Sequence, residues 1–287
     1  MTKQDWIVKL EEMGTLVHFL LKKFGTAVSQ RQVRRALDEA QCTVNGRAER
    51  FANTKLRPGD RVVFKGNITQ FAVKEVKLFE LSRVLYEDEY FLAYDKPSGV
   101  TTDREGILTA LSSYCNHLKI VHRLDRLTSG VLILAKTKEA EEKLAHHFKT
   151  REISKVYLAV VDGVPKSNFG VIKNTIAKKG SYGYGQTLYE VAPEGKLAIT
   201  KWKVKKRAED YSIIQCRPIT GRTHQLRVHL SWMGHPILGD NQYATERFKT
   251  KREFNRMMLH AWKIEFDHPF TGEKVSIESK VPPEFEF

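Results

Sequence analysis

One stretch of the 287-residue chain sets a carboxylate between two guanidinium groups: His122-Arg123-Leu124-Asp125-Arg126-Leu127-Thr128-Ser129-Gly130, just before the apolar run GVLILAK. Such a run reads as a buried strand, so Asp125 stands at its mouth. Guanidinium groups nearby keep a carboxylate ionised. The turn ending Thr128-Ser129-Gly130 lets the backbone approach closely and can aim the Asp at a cleft. An ionised, fixed carboxylate can act as nucleophile or base toward an electron-poor carbon. The plain alternative is a salt-bridged loop aspartate, and residue chemistry alone leaves the two readings level.

A second cluster is Gly221-Arg222-Thr223-His224-Gln225-Leu226-Arg227-Val228-His229-Leu230. Read as a helix, it turns Leu226, Leu230 and Met233 to the core and gathers Arg222, Gln225 and His229 on the opposite side. Arginines, amides and imidazoles suit phosphate and base-edge contacts. A third element is the strand KVYLAVV, where Tyr157 stands among apolar neighbours. A strand tyrosine is usually core or edge, yet a nucleobase can stack on its ring. No metal site is expected. His146 and His147 point to different sides of a helix, and His224 and His229 lack a third ligand at suitable spacing. Dinucleotide, P-loop, zincin and serine-elbow signatures are all missing, so no nucleotide or other cofactor is expected.

These groups need elements to hold them. From about residue 83, VLYEDEYFLAYDKPSGV reads as a strand pair ending at Pro97-Ser98-Gly99. EGILTALSSYCNHL and KEAEEKLAHHFKT read as helices, the latter with Ala140, Leu144 and Phe148 in line. KVYLAVVDG, TLYEVA, LAITKWKVKKR and YSIIQCRP read as strands. Helices and strands alternate without regular βαβ units, which predicts an α+β fold with a mixed, largely antiparallel sheet.

Residues 14–66 read as a smaller, very basic unit. Leu16, Phe19, Leu20 and Lys23 share helical spacing, with Gly25 closing that helix. Ser29 is placed to cap QRQVRRALDEA, where Val33 and Leu37 share a face. Arg31, Arg34 and Arg35 lie three and four apart, as helix-surface neighbours do. Turns follow at Asn45-Gly46 and Pro58-Gly59-Asp60, and an alternating strand ends at Lys65. Residues 1–13 are expected to be an extension and 67–82 a linker.

Lysine and arginine number 48 against 34 acids, a formal charge of +14, which predicts a polyanionic partner, nucleic acid ahead of membrane. No run of about 18 apolar residues spans a membrane, and the start carries no secretory pattern. Three widely spaced cysteines suit a reducing compartment, so a cytoplasmic protein is expected.

Two resemblances organise these features. The helix, basic helix, VNG strand and PGD turn of 14–66 resemble the alpha-L RNA-binding module of a ribosomal small-subunit protein. HRLDRLTSG, KVYLAVVDG, GRTHQLRVHLSWMGHPILGDNQY and the upstream DKPSG resemble the signature segments of RluA-type RNA pseudouridine synthases, over roughly residues 80–285. The second resemblance implies a pseudouridine synthase fold and isomerisation of uridine in RNA, without cofactor. It also implies Asp125 as the catalytic carboxylate, attacking the anomeric carbon or acting as a base at the neighbouring sugar carbon. Tyr157 would pack on the flipped uracil. Arg222 is the first choice as basic partner of Asp125, with Arg227 second. His122, Arg123, Thr128, Gln225 and Arg227 are expected to contact RNA; Arg31, Arg34, Arg35 and Lys65 are expected phosphate contacts on the module. A monomer acting on large-subunit rRNA is expected. The competing readings are a tRNA-directed synthase, an inactive RNA-bound assembly factor, and a nucleoside glycosidase, which expects a second carboxylate near Asp125.

Overall fold

The computed structural model describes residues 3–25, 28, 30–38, 41–49, 52–66, 68, 79–182, 186–240, 242, 243, 254 and 256–285. The chain divides into two compact units, residues 1–76 with 181–186 and residues 77–180 with 187–287, so that the facing ends of two strands of the larger unit, Phe169–Tyr182 and Gln186–Val191, count with the smaller. Ser29, the side chain of Arg31 and most of the segment 67–82 lie outside the described residues.

The smaller unit contains β1 (Lys3–Ile7), β2 (Gly14–Thr15), α1 (Leu16–Phe24), α2 (Gln30–Asp38), β3 (Cys42–Val44), β4 (Arg47–Ala48), β5 (Lys55–Leu56) and β6 (Arg61–Lys65). Its apolar helix positions do what their spacing requires. Leu16, Phe19 and Leu20 of α1 and Val33 and Leu37 of α2 are fully buried, against Cys42, Val62 and Phe64 of the sheet. Gly25 ends α1 at φ 76°, and Asn45-Gly46 turn β3 into β4 with both φ angles positive. The first residues are not an extension. β1 pairs antiparallel with β6, which makes the sheet order β1-β6-β3-β4. Trp6 is what draws the segment in, edge-on to Phe19 at 6.1 Å and to Phe24 at 5.8 Å.

The larger unit contains β7 (Val84–Glu87), β8 (Phe91–Lys96), α3 (Thr109–Leu111), β9 (Lys119–Ile120), β10 (Ser129–Ala135), α4 (Lys138–Thr150), β11 (Ser154–Asp162), β12 (Phe169–Tyr182), β13 (Gln186–Val191), β14 (Lys196–Arg207), β15 (Tyr211–Pro218), α5 (Gln225–Trp232), β16 (Leu259–Asp267) and β17 (Lys274–Glu278). Its main sheet runs β13-β12-β14-β15-β11-β16-β10-β8-β7, with β17 beside β16 and β9 beside β10. The described pairings are antiparallel except β10 with β16, so the sheet is mixed and the fold α+β. Among the described residues no helix is long and apolar enough to cross a membrane.

Every residue of β10 is buried. Val131, Ile133 and Ala135 pack with Ala140 and Leu144 of α4, while Leu132 and Leu134 pack with Ile107, Leu111, Leu118 and Leu124. Each such leucine contributes roughly 1.5–3 kcal/mol by burial. Leu124 therefore anchors the residue next to Asp125 in the core. The expected helix 105–118 is shorter than its composition suggested. A π-turn at Arg104–Leu108, capped by the Asp103 carboxylate accepting from Gly106 N at 2.7 Å, leads into the single turn of α3. Ser112, Ser113 and Asn116 then favour turn over helix.

Candidate active site

The loop before β10 is splinted by the segment after β8. Lys96 is fully buried, and its Nζ donates to the carbonyls of Pro97 (3.0 Å), Val100 (2.9 Å) and Arg126 (3.3 Å). Gly99 N donates to Arg126 O at 2.8 Å and Ser98 Oγ to Leu127 O at 2.7 Å. Thr102 Oγ1 donates to Leu124 O and accepts from Leu124 N. Thr128 N closes the turn onto Asp125 O at 3.0 Å. Behind it, Gly130 (φ 109°) lies so close to β16 that a Cβ would stand 2.2 Å from Ala261 O. The Asp125 backbone is thus tied on both sides, which presets the carboxylate before any substrate arrives.

Three elements bring side chains to that carboxylate. From α5, Arg227 Nη1 lies 3.5 Å from Asp125 Oδ2. From the turn before α5, His224 Nε2 lies 3.9 Å from Asp125 Oδ1. From β11, Tyr157 stands close enough that the Asp125 charge, after burial, raises its pKa. Arg227 is itself held in a fork: Nε and Nη2 donate to Asp240 at 2.7 and 2.8 Å, and both residues are buried. The remaining edge of the guanidinium faces Asp125. Tyr243 lies against its face, with Arg227 Cζ 4.8 Å from the ring centroid. The same tyrosine places its hydroxyl 2.7 Å from His224 Nδ1. His224 has φ 54°, an uncommon backbone state for a non-glycine residue, which directs its ring into the site. Burial lowers its pKa against the opposing pull of Asp125. Burial also brings Lys96, below the loop, down to about 7.

The profile described as RNA pseudouridylate synthase matches residues 90–232, which include Asp125, Tyr157, His224 and Arg227. The ribosomal large subunit pseudouridine synthase C of Haemophilus ducreyi is 34% identical over 96% of this chain and 91% of its own length. The chain belongs to the RNA pseudouridine synthase family. The synthase of the same name from Pasteurella multocida is 36% identical over 70% of this chain, which covers 65% of that protein. Human RNA Pseudouridylate Synthase Domain Containing 1 superposes with a TM-score of 0.64 at 29% identity, covering 73% of this chain and 86% of that one. The enzyme is an isomerase that converts uridine in RNA to pseudouridine.

Several residues of this synthase sit elsewhere than their spacing suggested. Arg222 does not meet Asp125. Helix α5 begins only at Gln225, so Arg222 lies in the preceding turn and its Nε donates to Leu197 O at 2.9 Å. Gln225 is buried and saturated. It accepts from Arg222 N and Thr220 Oγ1 and donates to Ile199 O and Thr200 Oγ1. His229 is likewise inside, bonded to Thr200 and Asn174. The second face of α5 is therefore packed on β12 and β14 instead of open to RNA. Thr128 is buried as well and offers RNA no surface. His122 accepts from Ile133 N at 2.9 Å and stacks on Phe148 at 4.3 Å, and burial drives its pKa down to about 3. It holds the loop to β10. Arg123 is exposed.

Lys96, His224, Asp240 and Tyr243 escaped sequence reasoning as site residues. Their one visible signal is position inside the DKPSG and GRTHQLRVHLSWMGHPILGDNQY segments. At Gly239 (φ 75°) a Cβ would meet Arg256 O at 2.1 Å, so only glycine turns the chain there and brings the next carboxylate beneath Arg227.

Proposed function

We propose that this synthase isomerises uridines of large-subunit rRNA, with Asp125 as its catalytic carboxylate. The observation that carries the reading is the Asp125 carboxylate on a splinted loop, faced by Arg227, His224 and Tyr157. The target base leaves its stack, at about a few kcal/mol, and enters beside Asp125. Asp125 then attacks the anomeric carbon or takes a proton from the neighbouring sugar carbon, and the N-glycosidic bond breaks. The freed uracil anion rotates and its C5 bonds the anomeric carbon, displacing the Asp125 carboxylate in the first route or with Asp125 returning the proton to the neighbouring sugar carbon in the second; C5 then loses its proton and N1 gains one. Nothing is oxidised. Arg227 aims Asp125 while RNA phosphates gather around the site. Tyr157, kept protonated by burial and by Asp125, packs on the uracil as a neutral phenol. Arg123, exposed next but one to Asp125, is suited to fill the gap in the stack or to hold the flipped phosphate.

The rRNA target is supported by the names of the relatives and by the basic unit at the N-terminus, which we read as an alpha-L RNA-binding module. The glycosidase alternative needs a free second carboxylate, and Asp240 is engaged by Arg227. Three free cysteines suit a reducing cytoplasm, and a monomer suffices because Asp125, Arg227, His224 and Tyr157 come from one chain. Pseudouridine mapping of total RNA from cells with and without the gene is the test. Sites missing without the gene are expected in large-subunit rRNA and to return with wild type but not with Asp125→Ala. Sites in tRNA alone would overturn the target, and no change in any RNA would overturn the activity. Deleting residues 1–66 is expected to weaken RNA binding while the larger unit still folds.

A further inference from the structure

The hydroxyl of Tyr243 lies between two partners. The backbone N–H of Tyr189, on β13, donates to it at 3.0 Å, and His224 Nδ1 lies 2.7 Å away. An amide N–H can only donate, so it takes an acceptor lone pair of the phenol. One lone pair of a phenol oxygen is conjugated with its ring, so a second acceptance is the weaker choice and the single hydrogen is better given to His224. A ring nitrogen that accepts a hydrogen carries none of its own. In that arrangement His224 is neutral and carries its proton on Nε2, the atom that lies 3.9 Å from Asp125 Oδ1.

We propose that Tyr243 is a positioning residue of the active site: its hydroxyl fixes His224 as the Nε2–H tautomer, so that both oxygens of the Asp125 carboxylate face donors. Arg227 Nη1 lies 3.5 Å from Oδ2 and His224 Nε2 3.9 Å from Oδ1, an electrostatic approach that substrate binding can tighten. The inference deepens the proposed role of Asp125 and rests on it. Two further features fit. His224 is held at φ 54°, a conformation a non-glycine side chain adopts at a cost and which aims the ring. The same Tyr243 ring lies on the Arg227 guanidinium, so one aromatic residue sets both donors. The groups around the imidazole are Asp125 on the loop before β10, Arg227 on α5, Asp240 on the loop after it, Tyr189 on β13 and Tyr243. Asp125 and Asp240 favour protonation of His224, whereas burial and Arg227 oppose it; with its pKa lowered, the ring stays neutral through neutral pH.

The mechanism gains from a neutral donor. A full imidazolium would bind the carboxylate more tightly and make it a weaker nucleophile or base. A bare Nε2 lone pair would repel it. The neutral Nε2–H turns a donor toward Oδ1 without adding a second full positive charge beside that of Arg227.

The test uses the full chain and an unmodified large-subunit rRNA transcript. In Tyr243→Phe nothing donates to Nδ1, and the ring is free to carry its proton there and present a bare Nε2 to Asp125. The expected result is a fall in kcat of roughly tenfold to a hundredfold at about pH 8, with KM little changed. The ratio of variant to wild-type kcat should rise as pH falls and His224 becomes protonated, because the imidazolium presents Nε2–H whatever lies at Nδ1. His224→Gln, whose amide nitrogen can stand near Nε2, should retain more activity than His224→Ala. An unchanged kcat and ratio in Tyr243→Phe overturns the proposal. The wild type supplies a measurement that needs no variant to fold: the nitrogen-15 spectrum of histidine-labelled protein at about pH 8 should show His224 protonated at Nε2 alone. A proton on Nδ1, or on both nitrogens, overturns the tautomer even in an active enzyme. If the wild type modifies no transcript, the reading of Asp125 fails, while the spectrum still decides the tautomer.

Discussion

The two units use basic side chains in opposite ways. In the smaller one, Arg34, Arg35 and Lys65 stand in solvent on a helix and at a strand end. In the larger one, Lys96 and Arg227 are buried, each surrounded by acceptors: three carbonyls for the lysine, two carboxylates for the arginine. Exposed cations act at the range of the Debye length and are screened by salt. Buried ones act on single atoms, and removing one leaves its acceptors stranded. A polyanion meets the first kind at any sequence; a single carboxylate is tuned by the second.

The largest test of that contrast is at the carboxylate. Asp125→Asn should lower pseudouridine formation by about a thousandfold or more, read as label released from 5-tritiated uridine in RNA. A loss of only a few-fold would mean that the buried cations serve some other group.

Next comes the comparison of two arginines five residues apart. Arg227→Met should cost about 3–5 kcal/mol in urea unfolding, since Asp240 is left buried with backbone N–H donors but without its guanidinium. Arg222→Met should cost under about 1 kcal/mol. Adding Asp240→Leu to Arg227→Met should restore stability but not activity. If activity returned with stability, Arg227 would be a structural ion-pair partner only.

A smaller effect is expected in the other unit. Replacing Arg34, Arg35 and Lys65 by alanine should weaken RNA binding and lower the salt slope by about 0.7–0.9 for each phosphate that is no longer neutralised. At saturating RNA, kcat should hold. A change in kcat without a change in slope would blur the division between the two units.

The smallest effect concerns Lys96. Its folded pKa of about 7 lies below the ordinary 10.5, so between those values the unfolded chain binds more protons and stability rises with pH. Unfolding at pH values near 7 and near 9 should show that rise in the wild type and lose it in Lys96→Met.

Much of this was legible along the chain because the signals are local. Apolar spacing gave α1, α2 and α4 their buried faces, and Asn45-Gly46 specified a turn from two residues alone. The Asp125 loop stood out because a charged cluster abuts an apolar run. Trp6 shows the limit: nothing in its neighbours announces that β1 will pair with β6, since the ring's partners lie on α1.

The basic balance, the order of elements and the segment that bears Asp125 are properties of the sequence by itself, because each rests on residues within a few positions of one another. Which arginine meets Asp125 is not. Arg222 and Arg227 are equally plausible by type, and the choice turns on where α5 starts and on a carboxylate thirteen residues beyond Arg227 that folds back beneath it. The proton on His224 is more remote still, set by a phenol nineteen residues away that is itself held by the backbone of β13. Tertiary structure decided these because a hydrogen bond requires atoms within about 3 Å, a condition that sequence spacing cannot express.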